Sequence, residues 1–328
     1  VERKVKERKT LLTPDSAGWR IRRGAGAWES VPELAGAAEK MRPGDPLSLA
    51  LPTGAAVFER MRLPSVDTVE LAGMVRLQIE KTLPFPPEEI TSSWMPIRQE
   101  ANESVVLGIA FHNGQIDATC APLIAKDLYP DQITVWAAQV AARCPSGENV
   151  LAVYREGDRL VLAGVESRRL GWVESLPVEE PDRFKAEFGA RLLAAELEGV
   201  PTAYSSILLA PDCADIAPLI REVLPAPVAP LPPLDDVDLA SSPQFMPDLW
   251  RDAKRRGLSR AKLRSRLGAV GIAYLVFLVL LLGWLVKMQL AGDGIARRLA
   301  ALRPQVEAIQ AAEARWRTLS PAIDPALS

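Results

Sequence analysis

The sequence predicts a layered α/β domain followed by one apolar helix of membrane-crossing length. Three observations predict it. Strand-like runs alternate with helix-like repeats from residue 10 to residue 224. A proline-rich stretch, PAPVAPLPP, follows at 225–233. Residues 267–286 then read LGAVGIAYLVFLVLLLGWLV, with no charged residue between Arg266 and Lys287. Strand meanders interleaved with helices favour layers over a sandwich.

Along the first region, 9–13 and 18–23 read as strands. Residues 47–51 and 57–63 read as two more, with Pro52-Thr53-Gly54 as the turn between them. Residues 66–83 carry Leu71, Val75, Ile79 and Leu83 at four-residue steps, with Met74 beside them, which predicts a helix ended by Pro84, Pro86 and Pro87. The apolar run 104–111 reads as a central strand. Ile124 and Leu128 close a helix, and 133–142 reads as another. Residues 149–154 and 159–165 form a hairpin around Glu156-Gly157-Asp158, extended by 170–174. A helix over 184–197, a strand over 206–209 and a helix over 214–223 complete the region.

The 225–233 stretch reads as a semi-extended linker that cannot join a sheet core. It continues through Asp235, Asp236 and Asp238. The expected divisions are a domain at 1–224, a linker at 225–250, a basic segment at 251–266, a membrane helix at 267–286 and a stem at 287–328. Twenty helical residues span about 30 Å, the thickness of a hydrocarbon core. Eight cations precede the span: Arg251, Lys254, Arg255, Arg256, Arg260, Lys262, Arg264 and Arg266. Lys287, Arg297, Arg298 and Arg303 follow it, so the N-terminal side is expected to be cytoplasmic and the C-terminal side periplasmic. The same basic run suits anionic lipid head groups. Trp284 sits where an indole suits the interface. The charged residues 1–9 have no apolar run behind them and do not read as a secretory leader.

Beyond the span, Ile295, Leu299, Leu302, Val306, Ile309 and Trp316 follow four- and three-residue steps, broken at Glu313. That is a short heptad seam, and one helix cannot bury it alone, so the stem is expected to pair with another chain. Pro304 kinks or restarts this helix.

Chemistry is sparse. Cys120, Cys144 and Cys213 are isolated and odd in number, and read as small buried apolar residues. The lone histidine, His112, reads as a strand-end residue. There is no GxxxxGK[ST], GxSxG or HExxH pattern. Gly24-Ala25-Gly26 lacks the third glycine of a dinucleotide loop, and Glu88-Glu89 reads as a solvated helix start. No catalytic residue, metal site or cofactor is expected. The net charge of −2 gives no reason to expect nucleic acid.

One stretch carries a family likeness. Residues 49–97 place Leu51-Pro52 and Leu63-Pro64 at the ends of a strand pair, then a helix closing on Pro84-Phe85 and Glu88-Glu89. Pro130 to Ile133, the later hairpin, and Gly199-Val200-Pro201 before Ile207-Leu208-Leu209 follow in order. This pattern resembles the cytoplasmic domains of the PilM family of type IV pilus systems and the GspL family of type II secretion systems. The resemblance implies a degenerate actin-like (ribonuclease H-like) domain, and two phosphate-binding hairpins near Leu12–Gly18 and Leu151–Asp158. Here the first has Pro14, which lacks an N–H, and no Asp-x-Gly order. The second has Tyr154-Arg155 where an acidic residue and a small glycine are wanted. Both departures argue against nucleotide hydrolysis.

PilM-like proteins dock a peptide of PilN, whereas GspL-like proteins carry domain, span and periplasmic part in one chain. This chain has the single-chain layout, and Leu249-Trp250-Arg251-Asp252 resembles the segment before the PilN span, so a PilM–PilN-type fusion is the other form expected. The residues after 320 are too few for the periplasmic ferredoxin-like domain of both relatives. The implied function is a non-enzymatic inner-membrane scaffold. Its implied partners are a cytoplasmic secretion or pilus ATPase, a bitopic protein of the GspM/PilO type, a polytopic platform protein and the bilayer, with homodimer or heterodimer formation. The alternatives are a membrane-anchored actin-like ATPase and a bitopic regulatory protein.

Overall fold

The computed structural model describes residues 9–42, 45–177, 180–234 and 242–323, with part of the side chains beyond residue 256 outside the description. The chain divides into two units, residues 1–257 and 258–328.

The first unit is built twice over on one plan. In the first half, β1 (Thr10–Asp15), β2 (Gly18–Arg23) and β3 (Glu29–Val31) form an antiparallel meander. β4 (Leu47–Leu51) and β8 (Gln132–Val135) add in parallel, giving the order β3-β2-β1-β4-β8. In the second half, β9 (Asn149–Glu156), β10 (Arg159–Glu166) and β11 (Arg169–Pro177) repeat the meander. β12 (Ser206–Leu209) and β13 (Val228–Pro230) repeat the parallel pair, giving β11-β10-β9-β12-β13. β1, β4, β9 and β12 are almost continuously buried, as strands covered on both faces must be, with Thr10, Thr13 and Ser48 among their buried residues.

Helices cover these sheets. α1 (Leu34–Glu39) buries Leu34, Ala37 and Ala38. α4 (Trp136–Arg143) buries every residue from Trp136 to Ala141 and packs against β8, β10 and β11. It therefore cements the two halves. α5 (Pro181–Leu197) and α6 (Ala217–Val223) pack on each other beside the second sheet.

An insertion between β4 and β8 forms a three-stranded sheet in the order β5-β7-β6. It comprises β5 (Ala56–Leu63), α2 (Thr68–Thr82), β6 (Ile90–Gln99), β7 (Ser104–His112) and α3 (Asn113–Ile124). Asp67 caps α2 by accepting the N–H groups of Val69 and Glu70. Leu71, Val75 and Ile79, the repeat seen in the sequence, bury against Met61, Val106 and Ala110. Gly108 on β7 allows this approach, because a Cβ there would lie 2.7 Å from Met61 Cε.

Several expectations need correction. Residues 133–142 are not one helix: Ile133 to Val135 lie in β8 and the helix starts at Trp136. A short buried strand running into a buried helix leaves no change of period to read. Residues 47–51 and 57–63 are strands joined at Thr53–Ala55, but they do not pair with each other, since β4 and β5 enter different sheets. β6 escaped the sequence reading because Pro96 interrupts it. The proline sits on an edge strand at a register shift, where no ladder donor is needed. The proline stretch is no pure linker either. Val228–Pro230 pairs with β12, and the Ile207 N–H donates to Pro227 O at 2.7 Å.

The largest departure lies at 242–254, expected as linker and basic segment. This segment straps onto the first half. The Phe245 N–H donates to Ile133 O on the β8 edge at 2.9 Å, and its ring meets Phe111 edge-on at 5.0 Å. The Trp250 indole N–H donates to Asp117 at 2.8 Å, with its ring 6.1 Å from Tyr129. Phe245, Met246 and Trp250 are buried. Gln139 donates to Ser242, and Lys254 donates to Asp131 and to Tyr129 O.

α7 is assigned over Asp248–Ile323; its first turns belong to the strap and the remainder makes up the second unit. Residues 267–286 lie within it. Among the described residues, no helix is long and apolar enough to cross a membrane; the side chains of 267–273 fall outside the description.

Trp250→Ala removes a buried indole and orphans Asp117. It should speed tryptic cleavage within 251–256 about a hundredfold, through loss of roughly 3 kcal/mol of packing, while the rest of the domain still melts cooperatively.

Candidate functional site

The parallel pairing of β1 with β4 and of β9 with β12 brings the ends of these strands together at one side of the domain. Three turns meet there. The β1–β2 turn closes at Gly18, with φ of +116°. A Cβ on Gly18 would lie 2.2 Å from Pro32 O, so no side chain fits. The β9–β10 turn closes at Gly157, with φ of +61°. A 3-10 turn, Thr53–Ala55, follows β4. The Gly157 N–H donates to Asp15 O at 3.0 Å, which ties the two hairpins together.

Between them opens a cleft of about 490 Å³, lined by Pro14, Gly18, Trp19, Pro52, Gly54 and Glu156, with Gly157, Arg159 and Ser175. Both hairpins singled out in the sequence therefore face one cavity. Their chemistry differs from a phosphate cradle. Pro14 offers no N–H. Arg155 turns to the other side, where it meets Asp215 at 2.8 Å and Asp212 O at 3.1 Å. Arg159 is held by Ser175 through Nε at 2.8 Å and through the carbonyl.

Glu156 dominates the floor. Its side chain is buried, at 8% exposure, and accepts the Thr53 N–H at 2.6 Å and the Thr53 hydroxyl at 2.5 Å. The Tyr154 hydroxyl lies 3.2 Å from the Thr53 hydroxyl. Burial pushes the Glu156 carboxyl up to about 7, against the opposing pull of the Thr53 hydrogen bonds. Burial also raises the Tyr154 phenol well above its ordinary value, so it stays protonated. The sequence reading passed over Glu156 and Thr53. An acidic residue ending an apolar strand beside a turn glycine was the available signal; Thr53, over a hundred residues away, offered none.

The three cysteines are free and buried, and burial pushes each thiol up to about 12, as suits unreactive core residues. His112 ends β7, 3.3 Å from Glu89 and packed on Phe85 at 4.5 Å.

Of the basic run, Arg251 meets Asp248 at 3.1 Å, Arg256 donates to Asp252 O at 3.3 Å, and Lys254 is drawn onto Asp131. Arg255 is exposed. The side chains of Arg260, Lys262, Arg264 and Arg266 lie outside the described residues. In the second unit, Ile295, Leu302, Val306 and Ile309 are exposed along α7; Leu299 and Trp316 fall outside the described side chains.

Two halves of one topology with paired hairpins facing a common cleft define the actin-like class of α/β fold. Among solved structures, the PilM–PilN type IV pilus biogenesis complex is similar at TM-score 0.52 and 16% identity, over 76% of this chain and 98% of that chain. The cytoplasmic domain of EpsL, an inner-membrane component of the type II secretion system of Vibrio cholerae, gives 0.40 and 12%, over 61% and 80%. A Bacteroides thetaiotaomicron protein with actin-like ATPase fold gives 0.42 and 9%, over 69% and 91%. No family model and no curated protein matches the sequence. The likeness to the PilM–PilN structure establishes the fold, and the resemblance read from the order of elements is borne out at that level.

A carboxyl whose folded value lies above its unfolded value binds its proton more tightly in the native state. Its contribution is then full below about 4.5 and is lost as pH rises through about 7. Glu156→Gln should flatten the fall in melting temperature between pH 5 and pH 8. The recovered stability at pH 8 should be on the order of 3 kcal/mol relative to pH 5.

Proposed function

We propose that this chain is a non-enzymatic scaffold of a bacterial secretion or pilus assembly platform. It sits in the inner membrane through residues 267–286, with the actin-like domain in the cytoplasm and the stem in the periplasm. The domain receives an assembly ATPase, and the helix and stem pass that contact to a bitopic partner of the GspM/PilO type and to a polytopic platform protein. The basic run 251–266 lies against the bilayer head groups.

The observation that carries this reading is the strap. Phe245, Trp250 and Lys254 fasten the domain to the beginning of α7, thirteen residues before Leu267. A domain fastened so close to an apolar helix is suited to transmit a push or pull, where a loose tether would absorb it. In the PilM–PilN complex two named proteins come together. Here the segment likened to PilN is already in the chain, which supports a GspL-like or fused arrangement. The cleft chemistry supports the non-enzymatic part: a proline replaces one amide donor, and a buried carboxylate faces where phosphate charge would repel it.

Calorimetric titration of the full chain in detergent micelles with magnesium and ATP should show no binding at micromolar concentrations. Tight magnesium-dependent binding would replace this reading with the anchored ATPase. Cysteines placed singly from 295 to 316 should crosslink with a period of about 3.5 residues, strongest at Leu299, Leu302, Val306 and Ile309. A uniform pattern would remove the pairing stem.

A further inference from the structure

The cleft is bridged at its floor and along one edge by contacts between the two halves. At the floor, the Glu156 carboxylate from β9 takes both the N–H and the hydroxyl of Thr53, which follows β4 in the other half. At the edge, the next residue closes the gap: a Cβ on Gly54 would lie 3.3 Å from Ser175 Oγ and 3.7 Å from Arg159 Nε. The Gly157 N–H also reaches from one half to Asp15 O in the other.

The local fold does not need a carboxylate at position 156. β9 completes its ladders to β10 and β12 through backbone groups. The strand beneath is apolar from Val150 to Val153. Burying a carboxyl there is costly unless it is hydrogen-bonded, and a neutral side chain of the same size would avoid that cost. From outside its own half, the side chain takes its hydrogen bonds from Thr53, with the Gly54 backbone contributing beside it. Its position is explained by its reach across the cleft.

We propose that Glu156 acts as a built-in ligand for the cleft: seated on Thr53, its carboxylate holds the two halves shut with nothing bound between them. Closure in this chain is then a property of the sequence and does not wait on a small molecule. The proposal stands on the Thr53–Glu156 geometry and not on the platform reading, to which it adds a domain of fixed setting.

The test uses the full-length chain in detergent micelles with Gly54→Cys and Ser175→Cys together. The native thiols are buried, so disulfide formation under mild oxidation reports how often the two edges meet. With Glu156 intact the pair should close readily. At pH 6, adding Thr53→Val should slow closure about tenfold, the effect of one lost buried hydrogen bond, and adding Glu156→Ala, which removes the Thr53 N–H and hydroxyl bonds together, should slow it further. At the same pH, where the buried carboxyl keeps its proton, Glu156→Gln, which keeps an acceptor for the Thr53 N–H, should fall between the unaltered pair and Glu156→Ala. Amide exchange separates a latch from general support. Thr53 to Ala55 and Gly157 should exchange faster in both variants, while Val150 to Val153 keep their protection. Should Glu156→Ala fail to fold, Thr53→Val carries the test, since it leaves the β9 side chain in place. An unchanged crosslinking rate overturns the proposal, and so does equal loss of protection throughout β9.

Discussion

Two parallel strand pairings, β1 with β4 and β9 with β12, govern the architecture of the first unit. Because each pair runs the same way, the turns that leave these strands emerge on one side. The turn glycines then tie one hairpin to the other through a single amide, Gly157 to Asp15. Everything chemically distinctive about the domain follows from that convergence. Thr53 comes within reach of Glu156 though 103 residues separate them. Burial beneath the turns then sets the unusual affinity of that carboxyl for its proton.

The sequence made some of this plain. The four-residue repeat Leu71, Val75, Ile79 became the buried stripe of α2, because a helix on one face of a small sheet has a single apolar side. The apolar run of β7 and the hairpin around Gly157 were equally legible, since turn glycines punctuate strands. What stayed hidden was non-local. The duplicated topology has no counterpart in residue identity. β13 is masked by prolines that an edge strand tolerates. The strap is short and mixed in composition, and its anchors Phe245 and Trp250 gain meaning only from Phe111, Tyr129 and Asp117, more than a hundred residues away.

The same distance effect explains why the cleft could be located but not characterised from sequence. Its two hairpins were placed by analogy, and their departures at Pro14 and Tyr154-Arg155 were visible. The group that fills the floor was not, because an acidic residue at a strand end ordinarily faces solvent. Lys254 shows the converse. It belongs by sequence to a run of free cations, yet Asp131 draws it onto the domain. That carboxylate also accepts the Leu47 N–H at 3.0 Å and so steadies the start of β4.

The strap also changes where the domain ends for anyone who wishes to handle it alone. A fragment stopped at residue 224, where composition suggests a boundary, would lose β13 and expose the β12 edge. It would also uncover the apolar trough around Phe111 and Tyr129. Bare strand edges and fresh apolar surface invite self-association in solution. The natural unit for biochemistry extends through Gly257, so that β13, Phe245 and Trp250 travel with the sheet they cover.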